Sequence, residues 1–526
     1  MRSSRFMVAL FMVLALLAFA AQFLIDFTPD NIAASCVVLA SSMAILLYIL
    51  WTDAIQTHPL STFAKFGLCF TSQLGALLAQ SASGVSLTQN LRLPLETFVW
   101  LAVFQGTALL AHTLYRTFSG VKEHRRSSLI RVGLEQVGLY TPPSVGALWF
   151  LGLIGLFGQL LSSVSHGTLG KIGHGFEFVV WAPFLIPIFV AEVGPDFCDK
   201  KRHYPFLIVY IGLIAFIGLA ANARGFMLSG LMTISIFFIL RGMRSAQSVT
   251  ASKVGKTVLL GLVVAGMAIP VSDLMVAMRI ARNERATSSP MKMVEDTFYY
   301  VTQPELLDAQ RTRDKLAFSQ SSYDETYFAN PLLGRLMETK FHDNAIYFAS
   351  RISTNDGQRL WDITGDFLWT ALPDPALTAL RIDVDKEAMR FTIGDYLSYL
   401  SGAGELGGFK TGSAFGHGLA MFGIYFPLIY FFICCILFWA MDLLSYRTAK
   451  GQVLISALGM LGIWKLFQYG ITNESLQGFF MVVRGLPQTI LIYLLTLWIA
   501  RRCANALARL LGASRRHPAP SGLAVR

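Results

Sequence analysis

Long apolar runs separated by short polar segments dominate this chain. About 20 apolar residues are needed for a helix to cross a bilayer, and twelve runs come close to that length. The pattern predicts an all-α polytopic membrane protein with about 12 transmembrane helices. The predicted spans are residues 6–25, 32–51, 63–82, 96–116, 145–163, 176–193, 205–221, 226–240, 258–278, 418–440, 452–468 and 485–500.

The composition excludes a water-soluble globular protein. Of the 526 residues, 54% are hydrophobic and 14% are charged, whereas soluble domains carry roughly 25% charged residues. So much apolar surface cannot be buried in a soluble core, so the chain must be dissolved in lipid. The first span resembles a signal peptide with a cleavage site at Ala18-Phe19-Ala20, but its apolar run is longer than is typical and favours a retained helix.

Lysine and arginine in the short loops predict the orientation. If the N-terminus is cytoplasmic and the spans alternate, all but one of the short cytoplasmic loops are basic, and both termini lie in the cytoplasm. The net charge of +11 is then a topological signal, and no nucleic-acid partner is expected. The basic segments are residues 1–5, 116–131, 200–202, 241–256, 447–450 and 501–526.

One long segment, residues 279–415, contains no run that could span a membrane. This segment, called the polar module below, is expected to be a large periplasmic loop between the ninth and tenth helices. Residues 279–410 carry 15 basic and 19 acidic side chains. Trp361, Trp369 and many other aromatic residues favour a folded module over a disordered linker. The stretches 304–318 and 331–350 predict short amphipathic helices.

The chain is therefore predicted to have four parts. They are spans one to nine (1–278), the polar module (279–415), spans ten to twelve (416–500) and a basic cytoplasmic tail (501–526). No CxxC, HExxH or Walker motif is present, so no metal ion or nucleotide cofactor is expected.

Four arginines on the predicted outer face are the first candidates for binding a ligand. Arg224 lies in LAANARGFMLSG, which joins the seventh and eighth spans with almost no loop. Arg279, Arg282 and Arg285 follow the ninth span in MRIARNERA, at spacings that share one side of a helix. Arginines near the headgroups suit lipid-borne phosphate. The alternatives are a snorkelling interfacial side chain and a solvated helix end.

Histidines and carboxylates on the same side are candidate acid–base or acceptor-binding groups. Each of them alone is more often a solvated or structural residue. Asp273 and Lys465, inside or near the spans, are an alternative buried ion pair. The catalytic candidates are His342 and His417, and the carboxylate candidates are Asp366, Asp395 and Glu405.

Three segments resemble the O-antigen polymerase and ligase superfamily, as does the arrangement of twelve spans around a large outer loop. NARGFMLSG is similar to the Arg-Gly segment of the Wzy-type oligosaccharide repeat-unit polymerases. LWTALPDPALTALRIDVDK resembles a "W…P…K" stretch in their outer loop, and SAFGHGLAMFGIYF resembles the segment that enters their next span. The polar position of that last segment is His417 here.

The resemblance implies a GT-C-like membrane glycosyltransferase of the bacterial inner membrane. Such an enzyme transfers a glycan from undecaprenyl diphosphate to another lipid-linked repeat unit at the periplasmic face, without a metal ion. It implies that Arg224, Arg279 and Arg282 stabilise the leaving diphosphate, and that His417 or His342 takes the proton from the acceptor hydroxyl. Its implied partners are the lipid-linked oligosaccharide, the bilayer, a chain-length regulator and an export complex.

Three other interpretations stay open at this point. An O-antigen ligase would use the same donor with a different acceptor. A flippase or transporter for lipid-linked sugars would have a similar number of spans, although no half-to-half repeat of the kind common in transporters is visible. A structural subunit of a polysaccharide export complex would need no catalytic residue.

Overall fold

The computed structural model describes residues 3–123, 129–164, 168–245, 270–282, 289–320, 324–328, 330–370, 374–386, 388–448 and 451–510, with Gly255, Gly266 and Leu372. The structure is 79% helical. Its described strands, β1 (Ser445–Arg447) and β2 (Val453–Ile455), form one antiparallel hairpin. Nine helical segments within these residues are long and apolar enough to span a membrane, so the prediction of a helical multi-pass membrane protein is confirmed at this level.

The spanning segments run through both halves of the chain. Proline opens α2 because its missing N–H would be unpaired at a helix start in any case. The segments are α1 (Ser3–Ile25), α2 (Pro29–Trp51), α6 (Pro94–Glu123), α8 (Val145–Val164), α9 with α10 (Thr168–Phe176 and Leu185–Glu192, joined by a 3-10 turn at Glu177–Phe184), α11 (Lys200–Ala220), α12 (Arg224–Arg244), α21 with α22 (Ala414–Phe422 and Phe426–Asp442) and α25 (Leu476–Leu510).

The shorter elements fill the gaps between these spans. They are α3 (Ala54–Thr57), α4 (Pro59–Cys69), α5 (Gly75–Ala82), α7 (Leu129–Gln136), α13 (270–282), α14 (Pro290–Val301), α15 (Pro304–Gln320), α16 (Pro331–Leu336), α17 (Thr339–Ala349), α18 (Thr354–Thr370), α19 (Asp374–Leu380), α20 (Ile393–Leu400), α23 (Ala457–Leu461) and α24 (Ile463–Tyr469).

Three of the twelve predicted spans have no counterpart among the nine segments found within the described residues. Residues 63–82 lie in a helical stretch that runs from α4 through a π-helical turn at Phe70–Leu74 into α5. Residues 452–468 instead form β2 and two short helices, because Gly462 separates α23 from α24. The predicted span 258–278 falls largely outside the described residues, apart from its end in α13.

Helix α4 and the π-helical turn after it are enclosed by the bundle. Every residue of α4 is buried, and the rings of Phe63, Phe66 and Phe70 pack against Phe467 of α24. The two helices approach closely at Gly67, where a Cβ atom would overlap the backbone carbonyl of Phe467. A helix buried on all sides needs close backbone packing rather than an amphipathic face.

The polar module is fastened to the π-helical turn of this buried stretch. The backbone N–H of Glu338 donates to the carbonyl oxygen of Thr71 at 2.8 Å. The Thr339 hydroxyl donates to the carbonyl oxygen of Ser72, also at 2.8 Å. A π turn changes the helical hydrogen-bond spacing and leaves backbone acceptors for other partners. Helix α17 supplies those partners and is itself almost wholly buried.

The carboxylate of Asp343 ties α17 to the start of α6. It accepts hydrogen bonds from the backbone N–H groups of Arg92 at 2.8 Å and Leu93 at 2.9 Å, and from the Thr97 hydroxyl at 3.2 Å. The ammonium of Lys340 lies 3.5 Å from the same carboxylate. A carboxylate at a helix N-terminus is stabilised by the unpaired N–H groups and by the helix dipole.

The rest of the polar module packs in two groups. Helices α17, α18 and α20 share a small core that includes Phe348, Leu360 and Leu397. Helices α14 and α15 pack instead against α11 and α13, through contacts among Leu219, Met278 and Val294. The predicted helix over 304–318 is α15, whereas the predicted helix over 331–350 is divided into α16 and α17.

We expect Gly67→Ala to lower the free energy of unfolding by about 1–3 kcal/mol, the usual cost of overpacking a tight contact. The added methyl group must push α4 away from the Phe467 carbonyl, which is backbone and cannot rotate aside. Gly106→Ala in α6 is the matched control because its Cβ would meet no atom within 4 Å. Thermal unfolding in detergent measures both, and equal midpoints for the two variants would contradict the packing described.

Candidate functional site

A tight turn between α11 and α12 organises the predicted arginines. Helix α11 ends at Ala220 and α12 begins at Arg224. Asn222 sits between them with a φ of 50°, in the left-handed region that asparagine tolerates better than most residues. The near absence of a loop, predicted from the two adjoining apolar runs, is therefore explained by one residue in this conformation.

Helix α13 packs against this turn and brings Arg282 close to Arg224, with Arg279 three residues before Arg282 on the same helix. The Arg224 guanidinium donates to the carbonyl oxygen of Met275 at 3.4 Å. The Arg282 guanidinium donates to the carbonyl oxygen of Asn222 at 3.3 Å, and the Asn222 amide donates to the carbonyl oxygen of Met278 at 2.8 Å. We call Arg224, Arg279 and Arg282 the arginine cluster.

The cluster has the properties of an anion-binding surface. Arg279 and Arg282 are exposed, while Arg224 is half-buried at the first turn of α12, where a helix carries a partial positive charge. Guanidinium groups can bind phosphate oxygens in pairs. The fourth predicted arginine, Arg285, lies outside the described residues.

Helix α13 is also tied to the polar module by an ion pair. Arg311 of α15 contacts Asp273 and also pairs with Asp308 at 2.8 Å. The alternative pair of Asp273 with Lys465 is therefore wrong, since Lys465 is exposed on α24. The ion pair between Arg311 and Asp273 therefore holds α13, the helix that carries Arg279 and Arg282, against the polar module.

His417 is fully buried, and its two ring nitrogens are both hydrogen-bonded. The backbone N–H of Leu476 donates to Nδ1 at 3.3 Å. Nε2 therefore carries the proton and donates to the hydroxyl of Thr364 at 2.9 Å. In this arrangement neither nitrogen is open to a substrate hydroxyl, so His417 joins α18, α21 and α25 rather than acting as a base.

His342 is buried but keeps one nitrogen open. Its Nδ1 lies 2.8 Å from the hydroxyl of Ser413, the residue that caps α21. Its Nε2 has no hydrogen-bond partner among the described residues. Burial lowers the pKa of His342 to about 3, so the imidazole is neutral at physiological pH. The same burial disfavours the imidazolium form, so the open nitrogen can accept a proton only when the site opens and the imidazole is rehydrated.

Glu338 lies one helical turn before His342 and was missed in the sequence. The two are linked because the His342 backbone N–H donates to the Glu338 carbonyl oxygen at 3.1 Å. Burial raises the pKa of the Glu338 carboxyl to about 8, against the opposing effect of hydrogen bonds from Gln468 and Tyr469. One carboxyl oxygen, Oε1, has no hydrogen-bond partner among the residues described. A carboxyl that titrates near neutrality suits acid–base chemistry.

The three predicted carboxylates are placed differently. Asp395 is fully buried and accepts from the backbone N–H groups of Phe409 at 2.9 Å and Lys410 at 3.0 Å. It also forms a capping box with Thr392 at the start of α20. Asp395 therefore fastens the Gly-rich loop to α20. Asp366 and Glu405 are exposed.

The arginine cluster and the Glu338–His342 pair, which could both take part in chemistry, lie in separate parts of the fold. The arginine cluster contacts the α11–α12 turn and α13. Glu338 and His342 contact the π turn, α21 and the end of α24. Within the described ranges, no group of three or more His, Cys, Asp or Glu side chains is close enough to hold a metal ion.

Comparison with protein-family models, curated proteins and solved structures finds no match to this chain.

We expect the Glu338 carboxyl to make stability fall as the pH rises. The folded protein keeps its proton up to about pH 8, whereas the unfolded chain loses it near 4.5. The carboxyl therefore stabilises the fold fully in acid, and this contribution disappears as the pH rises through about 8. Thermal unfolding between pH 4 and pH 9 should show a shallower decline for Glu338→Gln, which cannot ionise.

The exposed carboxyl of Glu405 provides the control for this measurement. Glu405→Gln should follow the wild-type pH dependence. Parallel curves for the wild type and Glu338→Gln would show that the buried carboxyl is not protonated at neutral pH.

Proposed function

We propose that the chain is a polymerase of lipid-linked oligosaccharide repeat units in the bacterial inner membrane. It would transfer the glycan from undecaprenyl diphosphate to an acceptor repeat at the periplasmic face. The observation that carries the proposal is the arginine cluster, in which Arg224 at the start of membrane helix α12 lies beside the segment of α13 that carries Arg279 and Arg282. The resemblance of the NARGFMLSG segment to the Wzy-type polymerases supports the same activity.

The cluster suits the leaving group of such a transfer. As the glycosidic bond to the diphosphate breaks, negative charge builds up on the diphosphate oxygens. Guanidinium groups already held in place, together with the N-terminus of α12, would stabilise that charge without a metal ion. The lipid tail would remain in the bilayer beside α11 and α12, whose apolar faces are exposed.

A base for the acceptor hydroxyl is the second requirement. His342 has an open, neutral ring nitrogen, and Glu338 lies one turn away. We propose that this pair receives the hydroxyl proton, with His342 as the immediate acceptor. Both side chains are almost completely buried and lie in a different part of the fold from the arginine cluster. The module must therefore open around α17 and bring the pair to the cluster before both can act on one glycan transfer.

The distribution of basic residues supports the proposed orientation. Helix α12 has 21 residues, so its ends are about 30 Å apart. Arg224 begins it near the polar module, and Arg241 and Arg244 end it near the β-hairpin, where Arg244 contacts the Val453 carbonyl. Basic side chains at the end opposite to the module favour a cytoplasmic location for that end and a periplasmic location for the module.

We expect Arg224→Ala, Arg279→Ala or Arg282→Ala to reduce polymer formation by about 10²–10³-fold, the typical loss when a group that stabilises developing charge is removed. The assay is reconstitution with a lipid-linked repeat unit, followed by separation of the laddered product. Arg313→Ala is the matched control because Arg313 is an exposed arginine of the same module. A full ladder from all three cluster variants would overturn the proposal.

The same variants separate the rival functions in cells. A polymerase defect should accumulate single repeats at the periplasmic face, still joined to lipid or transferred to the ligase acceptor. A flippase defect should hold repeats on the cytoplasmic leaflet. A ligase defect should leave long polymer on the lipid carrier, and a structural subunit should show no ladder in reconstitution with any variant.

Loss of His342 should mainly lower the polymerisation rate, whereas loss of His417 should mainly lower the thermal stability. His342→Gln removes the open nitrogen and should lower the polymerisation rate by about 10²-fold and change its pH profile. His417→Gln breaks the links among α18, α21 and α25, so it should lower the thermal midpoint first. Rate and midpoint measured on both variants test this division, and a stable but inactive His417→Gln protein would contradict it.

A further inference from the structure

The buried stretch from α4 to α5 carries a line of polar side chains along one face. Ser61, Lys65, Cys69 and Gln73 are spaced four residues apart, which places them on one side of the helix. All four are buried within the bundle. Polar and ionisable side chains inside a membrane are costly, and they usually mark a path for ions or protons.

At the end of α4 that adjoins the β-hairpin, this line joins a continuous chain of hydrogen bonds. The Ser61 hydroxyl donates to the carboxylate of Asp442 at 2.6 Å. Nε2 of His112 lies 3.0 Å from the same hydroxyl, and Nδ1 of His112 lies 2.8 Å from the hydroxyl of Tyr48. The links come from α2, α4, α6 and α22, four different helices.

The directions of these bonds are fixed by the number of protons available. Ser61 has one hydroxyl proton and gives it to Asp442, so it accepts from His112 Nε2. A neutral imidazole with a proton on Nε2 accepts at Nδ1, here from Tyr48. The Tyr48 oxygen in turn accepts from the Arg116 guanidinium at 3.0 Å. Every link between Tyr48 and Asp442 therefore points the same way.

Lys65 lies at the inner end of this chain. Its ammonium nitrogen is 3.3 Å from the centre of the Tyr48 ring, and it has no hydrogen-bond acceptor among the residues that the structure describes. Contact with an aromatic ring only partly replaces water around a cation. A lysine buried in this way gains little as a structural element, whereas an amine beside a hydrogen-bonded chain can take up and release a proton.

The charged and titratable groups around this chain include cations and acids from several elements. They are Cys69 on α4, Asp53 and His58 beside α3, Tyr115 and Arg116 on α6, Arg131 on α7 and Arg447 on β1. Asp53 is paired with Arg116, and the Arg131 guanidinium donates to the backbone carbonyl of Asp442 at 3.3 Å. The Asp442 carboxylate therefore remains the acceptor that ends the chain.

Beyond Lys65 the polar line continues towards the module. Ser41 of α2 contacts Gln73, whose amide donates to the Phe98 carbonyl at 3.2 Å. Lys65 and Thr71 are six residues apart, about 9 Å along the helix. Thr71 lies on the other side of the helix from this line, and its carbonyl oxygen accepts from the backbone N–H of Glu338. The two ends of α4–α5 thus each carry a group that can hold a proton.

We propose that this line is a proton path through the membrane, with a hydrogen-bonded section from Asp442 through Ser61 and His112 to Tyr48. The Lys65 amine carries the proton between this section and the end near Glu338, and it must move off the Tyr48 ring to do so, because no hydrogen bond joins it to either among the described residues. Each hydroxyl or imidazole accepts a proton on one side and releases one on the other, so one proton enters at one face for each that leaves at the other. The transmembrane proton gradient drives the movement. The path is separate from the arginine cluster and does not depend on the proposed polymerase activity.

Proton movement into liposomes tests the path directly. The full chain is reconstituted in phosphatidylethanolamine–phosphatidylglycerol vesicles that contain the pH-sensitive dye pyranine, and a potassium gradient with valinomycin supplies the compensating charge. No glycan lipid is present, so the result is independent of polymerisation. We expect the wild-type protein to raise the proton flux above that of empty vesicles, and Lys65→Met and His112→Phe to reduce this added flux at least fivefold.

Two further variants control for folding and charge. Lys465→Met removes an exposed lysine of α24 and should leave the flux unchanged. Lys65→Arg keeps a cation that does not release its proton, so it should block the flux even if Lys65→Met fails to fold; elution as a single species in size-exclusion chromatography confirms folding. A wild-type flux equal to that of empty vesicles, or an undiminished flux in folded Lys65→Arg, overturns the proposal.

Discussion

The polar groups of a helix buried inside a membrane bundle must find protein partners, because lipid offers none. This constraint acts most strongly on α4–α5, which other elements surround on all sides. Its π turn leaves the Thr71 and Ser72 carbonyls to bond outside the helix, and the start of α17 provides the donors. The position of α17 then determines where Asp343, His342 and Glu338 lie. The attachment of the polar module and the buried acid–base pair both follow from one change in helical spacing.

Much of the transmembrane fold could be predicted, since a span depends on the composition of one continuous segment. The placement of Arg224, Arg279 and Arg282 at one face could also be predicted, because alternation of the spans puts the turn before the eighth span and the end of the ninth span on the same side of the membrane. Hydropathy could not show that 63–82 is enclosed by protein. The enclosure of this segment depends on which helices pack around it, so the burial of Lys65 cannot be predicted from the sequence either.

Side-chain roles were harder to predict than positions. In the sequence His417 and Asp395 are polar residues in aromatic or Gly-rich segments, whereas in the structure both lie fully buried with their hydrogen-bonding atoms in use. Their partners, such as Leu476 and Lys410, come from other elements, so one-dimensional spacing gives no hint of them. Glu338 was overlooked for the opposite reason. A lone glutamate before a helix resembles a solvated residue until burial by α24 changes its proton affinity.

The insertion of α17 into the bundle also limits how this protein can be divided. A loop that merely covered the membrane helices could be exchanged between relatives by cutting at its two ends. Here the module completes the hydrogen bonding of the π turn and of the start of α6, so a foreign module would leave those groups without partners. A functional chimera would have to carry α4, α5 and the beginning of α6 together with α17. The part of this fold that must be exchanged as one piece is therefore α4, α5 and the beginning of α6 together with the module, rather than the module alone.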